Sequence, residues 1–65
     1  MNSYYVIHDD GAHDTEHYAG GSMFEALASY YTAVADYNIG TVELGEMLDI
    51  GDDDYEMESF MFHEY

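Results

Sequence analysis

Imidazoles and carboxylates interleave near the start of the chain, at His8, Asp9, Asp10, His13, Asp14, Glu16 and His17. Both groups are ligands for zinc and other divalent ions. His13-Asp14-Thr15-Glu16-His17 also fits the H-x-x-E-H string of inverted zinc proteases. That chemistry needs both imidazoles on one helical face, a further ligand from elsewhere and a cleft for substrate. Here the string runs into Gly20-Gly21 in a chain of 65 residues. The histidines therefore read as decoration of an acidic loop, and they remain the only side chains able to become cationic.

A second acidic stretch, 49–60, has the carboxylate density of a calcium loop. The template asks for oxygen ligands at its third and ninth positions, glycine at the sixth and glutamate at the twelfth. Counted from Asp49, those positions hold Gly51, Met57, Asp54 and Phe60, and the match fails. Gly20-Gly21 has no phosphate-loop lysine, and Ser22 is explained below as a helix cap. There is no cysteine, which removes disulfides, thiolate metal sites and cysteine nucleophiles together. The expectation is a protein that is not an enzyme, with no catalytic residue, no metal site and no cofactor.

The charge balance is the strongest signal. No Lys or Arg stands against 15 Asp and Glu, a formal net charge of −15. Direct binding to nucleic acid is excluded as a reading, because affinity for phosphate chains comes from Lys and Arg neutralising them. Chains of such charge are commonly disordered, yet this one is 17% aromatic and 48% hydrophobic and is expected to fold. An acidic surface without internal counter-charge repels itself, so its natural complement is a strongly basic partner. Solubility alone or adaptation to high salt are the plainer explanations of the same excess. Crowding of like charges is also expected to raise carboxyl pKa values.

The elements that carry these residues read as follows. Residues 3–8, rich in aromatic and β-branched side chains, predict a strand ending at Asp9-Asp10-Gly11, and 13–18 reads either as a second strand pairing back across that turn or as an irregular acidic loop. Residues 22–37 predict the central element, an amphipathic helix reaching to about 38. Ser22 stands three residues before Glu25, the spacing of a capping box in which each side chain meets the other's backbone N–H. Phe24, Leu27, Ala28, Tyr31, Val34 and Ala35 are its expected buried stripe, with Glu25, Ser29, Thr32 and Asp36 opposite. Asn38 and Gly40 supply positions at which a helix commonly ends.

Residues 39–48 mix strand and helix spacings around Gly45, with strand favoured over a short helix in 41–49. A turn is expected at 49–54 and a strand at 55–65, whose apolar residues fall on both parities. Either Phe60 and Phe62 sit in the core and the methionines face out, or one apolar pair is left for another surface. The sum is a small single α+β domain over 1–65, one helix packed on a small antiparallel sheet in approximately ββαββ order. A chain this short has a marginal core, so a homodimer or a binder is expected. Its apolar runs fall short of a membrane span and no leader-like segment opens it, so it reads as soluble and intracellular, with no membrane partner.

These observations combine into one functional expectation. Duplex DNA carries one negative charge per roughly 1.7 Å of axis and is bound in basic grooves. A folded domain can occupy such a groove with carboxylates in place of phosphates, and with aromatic rings packed on guanidinium planes and alkyl stems. The residues expected at the partner surface are Asp9, Asp10, Asp14, Glu16, Glu43, Asp49, Asp52, Asp53, Asp54, Tyr55, Glu56, Glu58 and Glu64. Tyr18, Tyr30, Tyr37 and Tyr65 lie among or near them.

In size, charge and aromatic content the whole chain resembles the physical class of small phage-encoded DNA-mimic inhibitors, which includes anti-CRISPR proteins, anti-restriction proteins and inhibitors of uracil-DNA glycosylase. The resemblance rests on no motif and carries no residue role. It implies a stoichiometric inhibitor in a bacterial host cytoplasm, bound to a basic DNA-binding protein or nucleoprotein complex. On size, an anti-CRISPR protein is favoured over an anti-restriction protein or an inhibitor of another DNA enzyme. The alternative from another class is an acidic regulatory or chaperone-like module that masks a basic protein without imitating DNA.

Overall fold

The computed structural model describes residues 3–51 and 54–65. Aromatic and β-branched residues make β1, Ser3–Asp9, which turns back into β2, Asp14–Gly20. The turn between them is built by its own carboxylates. Asp9 accepts from the Gly11 N–H at 2.8 Å, and Asp10 accepts from Ala12 and His13 at 2.8 and 2.7 Å. Helix α1, Met23–Asp36, follows, and then a long hairpin of β3, Thr41–Gly51, and β4, Asp54–Glu64. The strands form one antiparallel sheet in the order β2-β1-β3-β4, in the expected ββαββ sequence of elements. Residues 41–49 are strand, as favoured. Of the turn expected at 49–54, Asp49 to Gly51 extend β3 and Asp54 already belongs to β4, while 52 and 53 lie outside the described residues.

Strands β2 and β3 both run antiparallel to β1, which lies between them. The connection from β2 to β3 must therefore cross over β1, and α1 makes that crossing on one face of the sheet. The core sits at the contact: Val6, Val42 and Leu44 from the sheet and Ala26, Tyr30 and Ala33 from the helix, with Met23, Leu27, Val34, Tyr37 and Met61 packed around them. Each of the fully buried Val and Leu side chains contributes about 1.5–3 kcal/mol relative to leaving it in water.

The buried face of α1 differs from the expected one. Leu27 and Val34 do pack on the core, but Phe24 is 82% exposed and Ala28, Tyr31 and Ala35 also face solvent. Apolar residues surround most of this helix, so periodicity leaves its rotation open. Contact with the sheet selects the stripe in which Ala26 and Ala33 let the backbones approach and Tyr30 fills the space between them.

The helix ends also depart from simple rules. The Glu25 N–H donates to the Ser22 hydroxyl at 3.2 Å, as a cap should. The reciprocal bond of the capping box is replaced: Tyr18 from β2 accepts from the Ser22 N–H and donates to the Glu25 carboxylate, each at 3.1 Å. At the other end Tyr37 is extended rather than left-handed, and its N–H donates to Ala33. The last turn has no basic residue, and the Tyr65 hydroxyl meets its carbonyls instead, 2.7 Å from Val34 and 3.2 Å from Ala33. Gly40, at φ 86°, serves the start of β3 and not the helix end. A side chain there would meet the backbone of Asp9 and Asp10.

Candidate interaction surface

Alternation along the strands divides the sheet residues between a face covered by α1 and an open face. Val6, His8, Val42 and Leu44 point to the helix. Their neighbours Tyr5, Ile7, Glu43 and Gly45 point to the open side, where no other element of the described residues packs. Pairing then orders the open face in rows. Asp14, Asp9, Thr41 and Glu64 stand side by side across β2, β1, β3 and β4. The next row is Glu16, Ile7, Glu43 and Phe62, and the row after it Ala19, Tyr5, Gly45 and Ser59. Beyond these come Ser3, Met47 and Met57, then Asp49 and Tyr55.

Two bulges make this arrangement. One, between Val6 and Ile7, inserts His17 into β2 and restores Glu16 and Asp14 to the open face. The other, between Leu44 and Gly45, inserts Phe60 into β4 and reverses the parity of that strand. Tyr55 and Met57 on one side of the bulge thus share a face with Phe62 and Glu64 on the other. Met61 goes to the core, while Phe60 and Phe62 stay exposed. Of the two readings of this strand, the structure takes the one that leaves an apolar pair for another surface.

The open face therefore concentrates carboxylates at one end, around Ile7 and Phe62, and carries Met47, Met57 and Tyr55 beside Asp49 at the other. Asp9, Asp14, Glu16, Glu43 and Glu64 cluster at the first. Sheet geometry roots side chains on neighbouring strands about 5 Å apart and alternate residues of one strand about 7 Å apart. Asp9 and Asp14 are direct cross-strand partners, a like-charge contact that opposes pairing. At the other end Met57 is 54% exposed, while Phe62, which stands in the row of Glu16 and Glu43, is 59% exposed. Between the ends Tyr5 lies flat across Gly45 and is only 2% exposed, its hydroxyl donating to Glu43 Oε2 at 2.5 Å. Burial first, and then the bond and charge of Glu43, push the Tyr5 phenol up to about 12.

The remaining expected surface residues lie elsewhere. Asp10 is exposed, and its carboxylate, like that of Asp9, is engaged by the turn. The backbone N–H groups of His13 and Ala12 hold it below the ordinary aspartate range, opposite to the expected like-charge effect. Hydrogen bonds to the ionised form outweigh crowding at this position. Glu56 and Glu58 project to the helix side of the sheet, with Glu58 directly opposite Glu46. Asp54 begins β4 at the far end of the hairpin, and Asp52 and Asp53 lie outside the described residues.

No family model, curated protein or solved structure matches the chain. The site is accordingly read from its own geometry. Among the described residues no group of three His, Asp or Glu could hold a metal ion. The H-x-x-E-H string lies on the turn and strand β2, where the helical pairing of its imidazoles does not exist. Instead His17 shares a 3.0 Å hydrogen bond with the Tyr37 hydroxyl. His8 is buried, stacked on Tyr37 with ring centroids 3.5 Å apart, and its Nε2–H donates to the Ile39 carbonyl at 2.8 Å.

The tyrosines divide by the same logic. Tyr30 is core, Tyr18 and Tyr65 serve the helix ends, Tyr37 holds histidines, and Tyr55 is left on the open face. Sequence reasoning did not single out Glu46, Ile7 or Met47 as surface candidates, and it left Phe62 open between the core and another surface until the bulge set its parity. The signal for Glu46 was its alternation with Leu44 and Leu48. No helix of the described residues is long and apolar enough to cross a membrane.

Proposed function

We propose that the chain is a stoichiometric inhibitor that presents the acidic end of its open sheet face to the basic nucleic-acid-binding groove of a target protein. The observation that carries this reading is the convergence of Asp9, Asp14, Glu16, Glu43 and Glu64 from all strands onto one end of one face, in a chain with no Lys or Arg. A basic groove that normally neutralises phosphates offers these carboxylates the counter-charge that the chain itself lacks. A CRISPR effector is the favoured target and a restriction or other DNA enzyme the next, with the host cytoplasm as the place of action. Binding to such a target weakens steeply as salt is added, and duplex DNA competes for the same groove. Salt-insensitive binding that persists beside saturating duplex overturns the proposal.

The second reading is an acidic module that masks a basic protein without imitating DNA. It is favoured by the division of the carboxylates, since Glu46, Glu56 and Glu58 lie on the side opposite the main cluster. Charge reversal in the two clusters separates the readings. Loss confined to the open-face cluster supports the groove, and equal loss from both supports general masking.

A further inference from the structure

The open face has the composition of a surface that a third layer covers. Sheets with apolar side chains on both faces are normally middle layers, and here only one face has its helix. Tyr5 is already buried on the open side, while Met57 and Phe62 of the same face remain exposed. The covered face shows what fits this sheet, because α1 lies across β2, β1 and β3. A helix about 10 Å across spans about two strand spacings.

We propose that a basic amphipathic helix of the target protein docks on this face. Its apolar side chains lie on Met47, Met57 and Phe62, and its lysines or arginines reach Glu16, Glu43 and Glu64. The inference rests on the inhibitor reading above and deepens it by naming the element of the partner that is bound. Charge decides the occupant. A second copy brings another −15 and no Lys or Arg to a face already edged with carboxylates. Nucleic acid brings more negative charge still. A basic helix supplies both missing components, since the alkyl stems of Lys and Arg lie along Phe62 while their heads reach the carboxylates beside it.

The test uses a short helical lysine–leucine peptide with leucines on one face, and a scrambled peptide of identical composition. Fluorescence anisotropy of each with the intact protein reads the affinity. The facial peptide binds about tenfold tighter than the scrambled one, and the double variant Met57→Ser/Phe62→Ser removes that difference while leaving scrambled-peptide binding unchanged. Both positions are exposed, and circular dichroism checks the fold of the variant. Independently, methyl resonances of Met47 and Met57 in the unmodified protein shift when the facial peptide is added. Equal affinity for both peptides overturns the proposal. So do shifts confined to the outer helix residues Phe24 and Tyr31, or sedimentation showing a homodimer that the double variant dissociates. Duplex competition against a target tests the groove reading separately, so failure of one is distinguishable from failure of the other.

Discussion

The two faces of the sheet are written by alternate residues of the same strands, and they are used in opposite ways. On the covered face Val6, Val42 and Leu44 are fully buried, and the carboxylates of Glu46, Glu56 and Glu58 follow further along β3 and β4. On the open face carboxylates and large apolar side chains adjoin each other in water, Glu43 beside Phe62 and Asp49 beside Tyr55. Cohesion belongs to the first face. Charge and unspent apolar surface belong to the second, a division that a chain without cations tolerates only where solvent or a partner reaches the carboxylates.

The sharpest way to break this comparison is to remove an apolar side chain from each face. Leu44→Ala should cost about 2–5 kcal/mol, a large part of the stability of a small domain. Phe62→Ala should cost less than about 0.5 kcal/mol, as exposed substitutions do. Urea unfolding of the two variants measures the difference; similar losses would mean that the open face also holds the fold together.

A smaller effect is expected midway along the open face. A Cβ at Gly45 would run into the Tyr5 ring and the Glu58 carbonyl, so Gly45→Ala should cost about 1–3 kcal/mol through overpacking. Restoration of stability by Tyr5→Ala in the same chain would assign the clash to the ring, and failure to restore would assign it to the backbone of β4.

The smallest effect concerns the Tyr5 hydroxyl. Tyr5→Phe removes its bond to Glu43 and should cost about 1 kcal/mol below pH 10. Because the folded phenol titrates at about 12 against an ordinary 10.0, folding favours its neutral form. That contribution is whole below pH 10 and is lost as pH rises through about 12. Alkaline denaturation should therefore be shallower for the variant, and the tyrosinate absorbance titration should lose its component near pH 12.

Much of the fold was legible in the sequence because local chemistry agreed with it. The Asp9-Asp10-Gly11 turn, the Ser22 cap and the β-branched first strand each form through contacts a few residues apart. The rotation of α1 was not legible. Phe24 and Tyr31 make as good a stripe as Ala26 and Ala33 until a sheet is placed beside them. The candidate surface was legible as a list of carboxylates but not as a place. Asp9, Asp14 and Glu16 are near in sequence, whereas Glu43 and Glu64 join them only through pairing.

By itself the sequence determined the sign and density of the charge and the absence of internal cations and thiols, and it pointed to the order ββαββ, because these follow from composition and from periods shorter than a turn or two. Tertiary structure alone decided which carboxylates share a face. That outcome hangs on two single-residue bulges, at His17 and Phe60, and on the side from which α1 crosses β1. A one-residue insertion reverses every side chain that follows it in a strand, and no local preference in the chain records that reversal.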